Sequence, residues 1–116
     1  MGVERGDVII LGAGIAGLTA ALYVVRQGMR PVVVSVDIGG QLLKAEVVEN
    51  YPGFPRTSGR EIIERLSEQV IGLGVMVYQD EVVGVGERDG LFFAETRTGG
   101  RYEGDALIIA TGKRPR

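Results

Sequence analysis

The chain contains no cysteine, no histidine and no tryptophan, and aromatic residues make up only 6% of its 116 positions. Without Cys or His it forms no disulfide, runs no thiol or imidazole chemistry and builds no structural zinc site of the usual kind. Any reactive group it employs must be borrowed. An excess of either charge is also missing: 13 Lys and Arg stand against 15 Asp and Glu, interspersed, for a net charge of −2. No basic stripe of the kind that grips nucleic acid is present. The longest uncharged run, Val8 to Val25, reaches the lower length of a membrane span, but glycines at 12, 14 and 17 interrupt it. It reads instead as strand, tight turn and helix. Glu4, Arg5 and Asp7 give no positive start to a secretory signal, and Gly6 stands where N-myristoylation prefers Ser or Thr. A cytoplasmic location is the expectation.

The length suits one small domain, burying somewhat over 60% of its unfolded surface. What is abundant is glycine. Nineteen residues, about 16% of the chain, exceed the usual ~7% more than twofold without a repeat or low-complexity tract, so they should occupy specific backbone positions.

Asp7 to Leu11 is an apolar run of the sort buried on both faces of a parallel sheet. Ile15 to Gln27 follows with helical spacing until Gly28, and Pro31 to Ser35 predicts a second strand, which completes a βαβ unit over residues 7 to 35. From Val36 to Thr57, Gly39, Gly40, Pro52, Gly53 and Pro55 break every period, predicting a long loop of the kind that is usually functional. Ser58 to Glu61 fits a capping box, opening an amphipathic helix that runs to Gly74. Val75 to Tyr78 predicts a third parallel strand. Glu81 to Val85, Leu91 to Thr96 and Arg101 to Tyr102, separated by Asp89-Gly90 and Gly99-Gly100, predict a small antiparallel meander. Ala106 to Ala110 predicts a last, fully apolar strand. The fold class is therefore α/β.

Gly12-Ala13-Gly14-Ile15-Ala16-Gly17 is a G-x-G-x-x-G sequence, and here it follows a predicted strand and opens a predicted helix, the context its function requires. Gly12 lets the chain turn, Gly14 has no Cβ to hold a pyrophosphate away, and Gly17 lets helix and strand pack closely. The helix N-terminus then faces the anion. A dinucleotide-binding unit of this type normally ends its second strand with an acid for the adenosine ribose, and Ser35 stands there, with Asp37 two residues later. Ser35 can bond a ribose hydroxyl, and Asp37 is either its substitute or a solvated loop residue. No Arg is placed for a 2′-phosphate, which disfavours NADP. Asp80 and Glu81, as neighbours on an extended chain, point to opposite faces and read as a solvated edge rather than an acid–base pair.

Gly12 to Gly17, Gly39-Gly40-Gln41-Leu42, Glu49-Asn50-Tyr51-Pro52-Gly53-Phe54 and Ala110-Thr111-Gly112 together resemble the FAD-binding segment of the thioredoxin reductase group of flavoprotein oxidoreductases. The resemblance implies a Rossmann-like βαβαβ, three-layer FAD-binding half with its small β-meander. It also implies that Gly40, Gln41 and Leu42 cover the flavin and pyrophosphate side, that Asn50 hydrogen-bonds the isoalloxazine, and that Ala110, Thr111 and Gly112 pass under the cofactor. Val82 and Val83 would meet adenine through backbone groups. Each position has a plainer alternative: the glycines turn a loop, Gln41 and Asn50 bond that loop to itself, Tyr51 and Phe54 anchor it to the core, and Thr111 ends a strand.

In that family, hydride passes from NADPH to FAD and on to a Cys pair or another acceptor, and a nicotinamide domain is inserted between two segments of the FAD domain. The resemblance thus implies that residues 1–116 are the first such segment. Hydride donor, acceptor and half the flavin pocket are then expected outside this sequence. It further implies an apolar final strand with an open edge, to be completed by a homodimer or a companion chain. The alternative expectation is a stand-alone module that binds flavin or adenine nucleotide without turnover.

Overall fold

A computed structural model describes residues 3–38 and 59–111. Its elements run β1 (Val3–Arg5), β2 (Val8–Ala13), α1 (Ile15–Arg26), β3 (Pro31–Ile38), α2 (Gly59–Gly72), β4 (Met76–Gln79), β5 (Val82–Arg88), β6 (Leu91–Thr96), β7 (Arg101–Gly104) and β8 (Ala106–Ile109). They form two four-stranded sheets, ordered β4-β3-β2-β8 and β1-β7-β6-β5. The first is parallel throughout. In the second, β5, β6 and β7 run antiparallel as the turn signals predict, and β1 adds parallel to β7. The sequence reading has no counterpart for β1: three residues alternating exposed and half-buried carry no hydrophobic period.

The parallel sheet is sandwiched, which is why its strands are apolar on both faces. All six residues of β2 are buried. Alternation along the strand sends Val8 and Ile10 to one cluster and Ile9 and Leu11 to the other. On β3, Val33 joins Leu18, Ala21 and Val24 of α1 and Ile63 and Val70 of α2, while Val32 and Val34 pack with Ala94 and Tyr102 of the meander. Register locks the layers together, with Ile9 opposite Val32 and Leu107, and Ile10 opposite Val33 and Ile108. The result is a helix–sheet–sheet stack of three layers.

Both helices end where glycine follows. Gly28 N–H donates to Val25 and Met29 N–H to Val24, and likewise Gly74 N–H donates to Ile71 and Val75 N–H to Val70. These are Schellman closures. At the second, Val70 and Val75 meet in the same core cluster, so α2 delivers the chain directly into β4. The predicted capping box has its first residue, Ser58, outside the described residues.

Asp7 ties the layers at the other end of β2. Its carboxylate accepts the Arg30 N–H at 2.6 Å, and its carbonyl accepts the N–H groups of Asp105 and Ala106 at 2.8 and 3.1 Å. Thus the turns entering β3 and β8 are both fixed on the residue that precedes β2.

Ile10 is fully buried in the central strand pair, so Ile10→Ala is expected to lower unfolding free energy by about 2–5 kcal/mol. Val85→Ala, at a residue 48% exposed, should change it by no more than about 0.5 kcal/mol. Urea denaturation of both variants checks the contrast; equal effects would contradict this assignment of the core.

Candidate functional site

The four parallel strands present their carboxyl ends along one edge, and a pocket of about 280 Å³ opens there. Its wall includes Leu11 and Gly12 on β2, Val34, Ser35 and Val36 on β3, Asp80 and Glu81 between β4 and β5, Val82 at the start of β5, and Thr111 after β8. Ligands of open α/β sheets bind at such an edge.

The glycine turn is built by close approach. Gly12 has φ +111°, and a Cβ there would collide with the Ala110 carbonyl. A Cβ on Gly17 would collide with the Gly12 carbonyl. Only side-chain-free residues let β2, α1 and the end of β8 converge this tightly. Gly14 is the N-cap of α1, its carbonyl accepting the Leu18 N–H at 3.0 Å. No side chain caps this helix end, and its first turn carries no acidic residue. The leading N–H groups and the positive end of the helix dipole are thus offered outward, as an anion requires. The cradle fits a diphosphate.

The other predicted residues fall in several places. Ala13 is buried in the core under α1, Ile15 packs partly against the same cluster, and Ala16 is exposed at the start of the helix. Ser35 is 7% exposed on the pocket wall, and its hydroxyl donates to the Asp37 carbonyl at 2.5 Å. Asp37 is exposed and its side chain is not part of the wall. Val82 lines the pocket, whereas Val83, the next residue on β5, is 59% exposed outside it. Ala110 backs Gly12 through its carbonyl, and Thr111 stands on the wall. Gly40, Gln41, Leu42, Asn50 and Gly112 lie outside the described residues.

Asp80 and Glu81 differ from the expectation of a solvated edge: both are on the wall and half-buried. The Asp80 N–H donates to the Ser35 carbonyl at 2.9 Å, fastening the end of β4 to β3. Its carboxylate accepts the Glu81 N–H at 2.8 Å and the Thr98 hydroxyl at 2.5 Å. Hydrogen bonds from Thr98 and then Thr96 hold this carboxyl below the usual carboxylate range. Glu81 is engaged differently, its carboxylate taking Nη2 and Nε of Arg97 at 2.6 and 3.2 Å. The signal available in the sequence for both residues was their position just past a parallel strand.

The pyridine nucleotide-disulphide oxidoreductase family model matches residues 6–116. The thioredoxin reductase of Treponema pallidum (strain Nichols) is 43% identical over 108 residues, covering 91% of this chain and 35% of the relative. Two crystal structures superpose closely. Thioredoxin reductase from Lactococcus lactis matches with a TM-score of 0.89 at 33% identity over 96% of this chain and 37% of that one. The enzyme from Streptococcus pyogenes MGAS5005 matches at 0.91 and 31% over 97% of this chain and 37% of that one. The chain therefore spans about a third of the length of the curated relatives it matches. With a family match that runs through every described element from Gly6 onward, and with the strand–glycine turn–helix corner built as above, the chain belongs to the pyridine nucleotide-disulphide oxidoreductases, thioredoxin reductase-like flavoproteins whose cofactor is FAD.

Proposed function

We propose that this chain holds the adenosine diphosphate half of FAD along the carboxyl edge of its parallel sheet, as the FAD-binding part of a thioredoxin reductase-like oxidoreductase. The observation that carries the reading is the uncapped N-terminus of α1 behind the compact Gly12 to Gly17 turn. Pocket size agrees with it: about 280 Å³ is just under the range of whole small-molecule sites, which suits one half of a dinucleotide. Ala13, Gly14, Ile15, Ala16 and Gly17 would supply backbone N–H groups to the diphosphate. Gly12 and Thr111 would border it, and Ser35 and Val82 would flank the adenosine. The flavin end would call on Gly40, Gln41, Leu42, Asn50 and Gly112, and Asp37 and Val83 would lie at the margins of the adenosine.

Bound FAD supplies the hydride chemistry, and the protein's part is to bind and orient it. With no Cys and no His in the sequence, this chain offers no thiol to accept electrons. Turnover from NAD(P)H to an acceptor is accordingly assigned to further protein, in cis or in trans, acting with this one in the cytoplasm. The β8 edge is the surface for that union, since Ile109 is 65% exposed and no described strand covers its outer side. A second copy of the chain is the other occupant of that edge.

Gly14→Val is the direct test of the corner. Gly14 has extended backbone angles, φ −82° and ψ −166°, so the variant should fold while its side chain occupies the phosphate position. Affinity for FAD, followed by flavin fluorescence quenching, is expected to fall at least about a hundredfold, near 2.7 kcal/mol. An unchanged titration by a folded variant would refute the placement. For the edge, sedimentation should show association of the chain with itself or with added companion protein, and Ile109→Lys should abolish it. A wild-type chain that stays monomeric and ignores the rest of the enzyme would count against the union.

A further inference from the structure

The pocket contains a second chemical instruction at the end away from Gly12. Sheet order β4-β3-β2 places the Asp80 end two strands from the Gly12 end, about 10 Å at the usual strand spacing. A nucleotide whose diphosphate sits at the glycine turn extends its sugar toward the ends of β3 and β4. Asp80 differs from the other oxygen-bearing side chains there. The Ser35 hydroxyl donates to the Asp37 carbonyl and can accept only as a neutral oxygen, Asp37 itself is off the wall, and the Glu81 carboxylate has its charge offset by Arg97, which bonds Oε2. Asp80 is the wall carboxylate to which the described residues bring hydrogen-bond donors but no cation.

We propose that Asp80 accepts the ribose hydroxyls of the bound adenosine moiety and thereby makes this pocket select against a 2′-phosphorylated nucleotide; the inference rests on the reading of the Gly12 corner as a diphosphate site. The Asp80 carboxylate is positioned before any ligand arrives, one oxygen held by the Glu81 N–H and the other by the Thr98 hydroxyl. Each oxygen retains a lone pair for a further donor. The threonine hydroxyls favour its charged form, so at neutral pH it is an acceptor only. A ribose diol brings donors to it. A 2′-phosphate brings two negative charges instead, and no Lys or Arg is on the described wall to offset them. Discrimination thus arises from a carboxylate one strand away from Ser35, the position where an acid is ordinarily found in such units.

The test is calorimetric titration of the whole 116-residue chain with ADP, 2′-deoxy-ADP and 2′-phospho-ADP. Wild type is expected to bind ADP about tenfold or more tightly than 2′-deoxy-ADP, the value of one hydrogen bond to a charged group, and to bind 2′-phospho-ADP more weakly still. Asp80→Asn keeps an acceptor for Glu81 and a partner for Thr98, so it should fold. In it the preference for ADP over 2′-deoxy-ADP should shrink several-fold while 2′-phospho-ADP gains affinity. Thr98→Val, which keeps the carboxylate but removes its positioning donor, should shift the same ratio in the same direction by a smaller factor. Wild-type ratios in both folded variants, or a wild-type chain indifferent to the 2′-hydroxyl, overturn the role of Asp80 while leaving the diphosphate site standing. Failure of wild type to bind ADP at all overturns the functional reading itself, and this inference with it.

Discussion

Three stretches of backbone meet at Gly12, and the rest of the site depends on their contact. The Ala110 carbonyl presses on Gly12 where a Cβ would be, and the Gly12 carbonyl in turn presses on Gly17. Because both contacts are backbone against backbone, no rotamer change can make room for a methyl group, so the corner tolerates only glycine. That closeness brings the start of α1 onto the carboxyl edge of the sheet with its N–H groups uncapped. Strand, turn and helix thus acquire the geometry that the proposed diphosphate site needs, through sterics first and electrostatics second.

A corner of this kind needs a rigid floor, and the sandwich supplies it. Helices cover one face of the parallel sheet through Ile10, Val33, Leu18 and Val70, while the meander covers the other through Ile9, Val32, Ala94 and Tyr102. Tyr78 and Tyr102 extend the second contact, their ring centroids 5.1 Å apart. The two sheets are joined beside the pocket as well as beneath it. Asp80 binds the end of β4 to Ser35 on β3, and Glu81 accepts the Arg97 N–H at 2.8 Å, tying the entry of β5 to the turn after β6. Wall and floor are therefore one cooperative piece, so the ligand edge inherits the stiffness of the core.

Charge within the pocket follows from that joinery. A serine stands in the second half of β3, with its hydroxyl turned onto its own chain at Asp37. The negative charge lies on the neighbouring β4 end, where threonine hydroxyls from the meander keep it ionised. The second sheet thus contributes polar donors to the carboxyl edge of the first as well as apolar cover.

The G-x-G-x-x-G spacing, the strands around it and the hairpin turns were legible in the sequence because each expresses a local rule: runs of buried β-branched residues, helical periodicity, and glycine where the chain must turn or approach itself. Membership of the flavoprotein family was legible for the same reason, since Gly12 to Gly17, Gly39 to Leu42, Glu49 to Phe54 and Ala110 to Gly112 are contiguous motifs. Other features were not. β1 is held by pairing with β7, a partner nearly a hundred residues away, and by Arg30, which bonds the Arg5 carbonyl and the Glu4 carboxylate, and its three residues carry no pattern of their own. Asp80 read as part of a solvated edge because it and Glu81, as neighbours on an extended chain, point to opposite faces, and it becomes a pocket residue only because β4 lies beside β3 and Thr98 arrives from another turn. What the sequence by itself determined is therefore the element types and the glycine corner, whose physics is local. What only the tertiary structure decided is which polar side chains share the pocket, because that depends on strand order and on hydrogen bonds between residues far apart in the chain.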